Sequence, residues 1–129
     1  MPIPKLLPLL HKFKTVYLIW FKFYSSMDKL HRYSLGLRID NLFIETIESI
    51  SIASFTAAKD KLPAIQNSLR KLDTIKVLLL VLFETGSIDQ PHYLQLSLQL
   101  EETGRMLGGW YKRPLGKNTN SLNDSSRES

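Results

Sequence analysis

A chain of 129 residues is long enough to close one hydrophobic core and too short for two ordinary ones. It contains no cysteine, which excludes a disulfide framework, a thiolate metal site and a cysteine nucleophile, and which suits a reducing cytoplasm. The formal charge of +5 and the sequence pI near 9.5 favour acidic partners, nucleic acid among them.

That charge is concentrated. Through Asp40 the basic residues Lys5, Lys12, Lys14, Lys22, Lys29, Arg32 and Arg38 face only Asp28 and Asp40, and the rest of the chain balances at ten basic and ten acidic groups. A targeting peptide also has a basic N-terminal bias. Here, however, the apolar run from Val16 to Phe21 is bounded by Lys14 and Lys22, well short of the roughly 20 residues a bilayer span needs. No small-residue cleavage site follows it, so a mature, soluble chain without a membrane role is expected.

The first helix is predicted from about Lys5 to Ser26, where Leu6, Leu10, Phe13, Tyr17, Trp20, Phe21 and Tyr24 recur at steps of three or four. Pro8 must lie in its first turns or kink it. The opposite face carries Leu9, Val16, Ile19 and Phe23 between lysines, more apolar surface than one neighbour covers. These aromatics either pack in the core or join the lysines as a surface on which bases stack.

A break follows, and a second helix is expected from about Ser34 to Ala58. Ser34 is placed to cap its free amides. Leu35, Ile39, Leu42, Thr46, Ser49, Ala53 and Ala57 form the inner stripe, and Asp40, Asn41, Glu45, Glu48 and Ser51 the solvated side. Glu45 and Glu48 lie one turn apart, but the chain has no Glu-x-x-His motif, so no bundle metal site is expected. Pro63 opens a third helix over 64–84, with Ile65, Leu69, Leu72, Ile75, Leu79, Leu82 and Phe83 inside. From Val77 to Phe83 every residue is apolar, which covers all sides of a helix and argues for burial by another subunit.

Gly86 and Asp89 supply a stop and a start, and the fourth helix is predicted over 90–112 on the stripe Leu96, Leu100, Thr103, Leu107 and Trp110. Gly104, Gly108 and Gly109 inside it each cost roughly 1 kcal/mol relative to alanine. Close helix packing or a specific contact surface would compensate. Residues 1–113 therefore read as one helical bundle, and 114–129 as a polar disordered tail.

His11, His31 and His92 are scattered and form no ligand cluster, and neither a phosphate loop nor a nucleophile elbow is present. No enzyme activity, cofactor or metal is expected.

Two stretches do carry a resemblance: His31-Arg32-Tyr33-Ser34-Leu35-Gly36-Leu37-Arg38-Ile39-Asp40 and Glu102-Thr103-Gly104-Arg105-Met106-Leu107-Gly108-Gly109-Trp110. The chain resembles a bacterial four-helix-bundle family that contains the accessory variability determinant of diversity-generating retroelements and the proteins encoded in ribosomal RNA intervening sequences. Arg32, Tyr33, Ser34, Leu35 and Gly36 match the opening of that family's second helix. Gly104, Arg105, Leu107, Gly108 and Trp110 match its fourth. Asp28-Lys29-Leu30 stands where the family carries a proline.

The resemblance implies an all-α, antiparallel up-down four-helix bundle that assembles as a positively charged homopentamer without catalytic activity. For the retroelement branch it implies binding to the element's reverse transcriptase and to RNA or DNA, in support of mutagenic complementary-DNA synthesis. The alternatives are the ribosomal intervening-sequence type and a structural protein-interaction bundle. The residues proposed for nucleic-acid or partner contact are Lys12, Lys14, Lys22, Arg32, Arg38, Arg105, Lys112 and Arg113, each otherwise a solvated or helix-end cation. Gly36, Gly104, Gly108 and Trp110 are proposed for close helix packing or subunit contact.

Overall fold

The structure, a computed structural model, describes residues 7–57 and 60–123, the side chains of 112–123 excepted. Five helices follow one another and the described residues contain no strand: α1 (Leu7–Ser25), α2 (Lys29–Arg32), α3 (Leu35–Phe55), α4 (Lys61–Glu84) and α5 (Gln90–Asn123). The four long helices coincide with the four predicted segments. The single turn α2 lies within the stretch expected to be a break. α5 runs on to Asn123, past the end predicted near Lys112. Residues 1–6, 58–59 and 124–129 lie outside the described residues, which takes in Lys5 and the last part of the expected tail; α3 ends at Phe55, with Thr56 extended, short of the end predicted at Ala58.

Local chemistry accounts for most helix ends. Pro8, Pro63 and Pro91 all fall in first turns, where the missing amide hydrogen has no intrahelical partner to lose. Gly86, at φ +78°, adopts the left-handed conformation that ends α4. The amides of Gly86 and Ser87 close back onto the carbonyls of Phe83 (2.9 Å) and Leu82 (3.1 Å). Asp89 then caps α5, its Oδ1 accepting from the His92 amide at 2.9 Å and lying 2.7 Å from His92 Nδ1.

Ser34 departs from its expected role. Its hydroxyl donates to the Leu30 carbonyl at 2.6 Å and makes no cap bond to α3. The reason is α2: a one-turn helix leaves its carbonyls without partners, and Ser34 stands four residues beyond Leu30 to take one.

α1 packs on α3, α3 on α4, α4 on α5 and α5 on α1, which closes a ring of long helices. Cross-helix pairs show that neighbours run antiparallel: Glu45 meets Lys71 and Ser49 meets Asn67, while Phe83 meets Tyr93 and Lys76 meets Glu101. Inside the ring Phe43 stacks on Phe13 (5.5 Å) and on Trp20 (5.7 Å). Leu72, Ile75, Leu79 and Leu82 of α4 and Leu96, Leu100 and Leu107 of α5 complete the core.

The inner face of α1 is rotated from the predicted one. Leu9, Phe13, Val16 and Trp20 are buried, whereas Phe21 is exposed. Because this helix is apolar on nearly all sides, periodicity alone could not choose; contact with both α3 and α5 turns Leu9 and Val16 inward. Asp40 is a second correction. Predicted to be solvated, it is buried at the α1–α3 contact, where its carboxylate answers two aromatic donors.

Candidate partner and nucleic-acid interface

The structure divides the predicted cations into those spent inside the chain and those left facing outward. Lys12, half-buried, bonds Glu102 of α5 at 3.0 Å. Arg32 folds back on the end of α1, its guanidinium donating to the Ser25 carbonyl at 3.3 Å and lying 5.4 Å from the Tyr33 ring. A cation there is favoured by the carbonyl end of the helix dipole. Its Nε is buried without a hydrogen-bond partner among the described residues. Arg38 is exposed and approaches Glu45 at 3.9 Å, beside the Lys71–Glu45 bond of 2.7 Å.

Lys14, Lys22 and Arg105 are exposed and make no ion pair among the described residues. They do not form one patch. Lys14 and Lys22 share the outer side of α1, which contains no acidic residue, whereas Arg105 lies on α5. Lys112 and Arg113 belong to the helical backbone of α5, with side chains outside the described residues.

Of the predicted packing residues, Gly36 is demanded by its surroundings. A methyl group there would stand 2.7 Å from the His31 carbonyl oxygen and 2.7 Å from Met27 Sδ, so the α2 turn closes onto the start of α3 only through a glycine. At Gly104 a Cβ meets one flexible atom, Leu72 Cδ2, at 3.2 Å; at Gly108 and Gly109 it meets nothing within 4 Å. Packing within the chain therefore does not offset the helix-weakening effect of these last two. Trp110 is partly buried, with the Lys61 ammonium 5.9 Å from its ring.

Along α4 and α5 a broad apolar surface is uncovered. Val77, Leu80 and Val81 of α4 and Leu94 and Leu98 of α5 are exposed, Val77 to 60% and Leu98 to 69%. Leu94, Leu98, Glu101, Arg105 and Gly108 follow one another at steps of four and three, hence along one side of α5. Of the apolar run from Val77 to Phe83, only Leu79 and Leu82 are buried within the chain.

The Asp40 site was missed from sequence. Its Oδ1 accepts from Tyr17 Oη at 3.0 Å and from Trp20 Nε1 at 3.2 Å. Burial, then the bond to Asp40, pushes the Tyr17 phenol up to about 12. A signal was present: Tyr17 and Trp20, one turn apart on an apolar helix, carry polar tips that need an acceptor when buried. Elsewhere, bonding to Lys71 holds the Glu45 carboxyl below its usual range. Burial alone would lower Lys76, but its bonds to Glu101 and Asp73 raise it overall.

Among the described residues no cluster of three or more His, Cys, Asp or Glu side chains is arranged to hold a metal, and no helix is long and apolar enough to cross a membrane. Comparison with protein-family models, curated proteins and solved structures gives no match.

Proposed function

We propose that this chain is a noncatalytic accessory subunit of a diversity-generating retroelement: an antiparallel four-helix bundle that self-associates, as a homopentamer, and binds the element's reverse transcriptase together with RNA or DNA. The observation that carries the reading is the uncovered α4–α5 exterior. An exposed apolar surface of this kind marks an association site, and the open Gly108 falls on the same side of α5 farther along the helix. The resemblance of the Arg32–Gly36 and Gly104–Trp110 stretches supplies the identity of the partners. Of the predicted contact cations whose side chains are described, Lys14, Lys22 and Arg105 have no ion pair among the described residues, and Arg38 is weakly held.

Co-purification with the reverse transcriptase encoded beside the gene tests the assignment; no complex, or no such neighbour, removes it. A gene inside a ribosomal RNA operon would instead place the chain in the intervening-sequence branch. The second reading, a protein-interaction bundle without a nucleic-acid role, is favoured by the engagement of Lys12 and Arg32 within the chain. A gel-shift titration separates the two. Counterion release predicts steep loss of affinity between about 50 and 200 mM salt, and absence of binding at low salt supports the second reading.

A further inference from the structure

A second uncovered apolar face lies along the α1–α3 contact and differs from the α4–α5 face in charge. Phe21 rests on Tyr17, ring centroids 6.0 Å apart, and the Tyr17 hydroxyl reaches Asp40 of α3, which puts Phe21 at the seam between the two helices. Leu18 adjoins it on α1. Leu37 and Ile44 stand about one turn before and after Asp40 and border the same seam. These four side chains are 40–55% exposed. Lys14 and Lys22 lie one turn to either side of Leu18, without ion partners among the described residues. Glu48, one turn beyond Ile44, is the nearest exposed acid on the α3 side.

Phosphate alone does not satisfy this surface. Neutralising two lysines would leave four apolar side chains in water, and Phe21 is the one ring among them available to stack a base, whereas nucleic-acid interfaces are dominated by polar and cationic groups. A second copy of the chain offers its α4–α5 face, where Arg70, Lys76 and Arg105 are balanced by Asp73, Glu84 and Glu101, Lys76 alone bonding two of these acids. A face without net negative charge does not neutralise Lys14 and Lys22.

We propose that the α1–α3 face docks an acidic amphipathic helix of a partner protein. The partner's apolar stripe covers Leu18, Phe21, Leu37 and Ile44, and its carboxylates meet Lys14 and Lys22. Those lysines are eight residues apart on one helix, about 12 Å along its axis, so acidic groups two turns apart on the docked helix reach both. The inference rests on the reading of the chain as a subunit of a larger complex, and it specifies the chemistry of the protein contact.

The test is fluorescence anisotropy of the whole chain with two labelled helical peptides. Both carry leucine at steps of three and four, one with glutamate and the other with lysine at the remaining positions; a single-stranded oligonucleotide is titrated in parallel. The glutamate peptide binds, and the lysine peptide is weaker by about tenfold or more. Phe21→Ser with Leu37→Ser weakens the glutamate peptide about tenfold and leaves the oligonucleotide unaffected. Lys14→Glu with Lys22→Glu removes peptide binding. Circular dichroism and light scattering establish that both variants keep the wild-type fold and mass. A wild-type chain that binds the glutamate peptide but no oligonucleotide supports the docking face while removing the nucleic-acid part of the function. The proposal is overturned if the two peptides bind alike, if the serine variant loses the oligonucleotide instead, if it binds phosphatidylserine vesicles less well than wild type while holding the peptide, or if its mass in solution changes.

Discussion

Asp40 shows how one buried charge is held by its neighbours. Both described hydrogen bonds to it come from α1, through Tyr17 and Trp20, so the carboxylate orders two aromatic side chains and ties α1 to α3. Asp40→Ala leaves two donors without an acceptor and is expected to lower stability by about 1–3 kcal/mol, measured by urea denaturation. The same bond has a pH consequence. A phenol whose pKa is raised on folding contributes stability below its unfolded value near 10 that is lost as pH rises through about 12. Burial raises Tyr24 as well, so tyrosinate absorbance should show late-ionising groups, one fewer of them in Tyr17→Phe. Gly36 is equally constrained. Gly36→Ala forces a methyl group against the His31 carbonyl and should cost about 1–3 kcal/mol in thermal denaturation.

At the scale of the helices, α5 separates two explanations of its glycines. Gly108→Ala meets open space within the chain, so the isolated subunit should gain roughly the 1 kcal/mol by which alanine exceeds glycine in a helix. If a neighbouring subunit approaches there, the same change weakens association; a denaturation midpoint measured against protein concentration reads both effects. Helix existence was legible from periodicity, and the α4–α5 turn from Gly86 and Asp89, because each residue there acts through its own backbone geometry. The inward face of α1 was not legible, since Leu9 and Val16 on one side and Leu10 and Phe21 on the other are equally apolar. Ser34 was misread because an unforeseen single turn, α2, supplied a competing acceptor. The candidate interface was legible as residue types only. Sequence marks Lys12, Arg32 and Lys14 alike as cations, and three-dimensional pairing alone distinguishes the first two, used within the chain, from the third.

For the whole molecule, the arrangement is a closed helical core with two uncovered exteriors. One is largely apolar along α4 and α5; the other mixes apolar groups with uncompensated lysines along α1 and α3. The proposed division of labour is self-association by packing the first against a different face of the next subunit, as a ring requires, and partner docking through the second. The α4–α5 exterior is the more demanding of the two, because a lone subunit leaves Val77, Leu80, Val81, Leu94 and Leu98 in water. Leu98→Glu with Val77→Glu is therefore expected to dissociate the assembly while preserving the helical spectrum. The most direct measurement is the mass of the wild-type chain in solution, by light scattering after size exclusion. The account predicts a pentamer of about 75 kDa from the 14.9 kDa chain; a single species at 14.9 kDa across the accessible concentration range would contradict it.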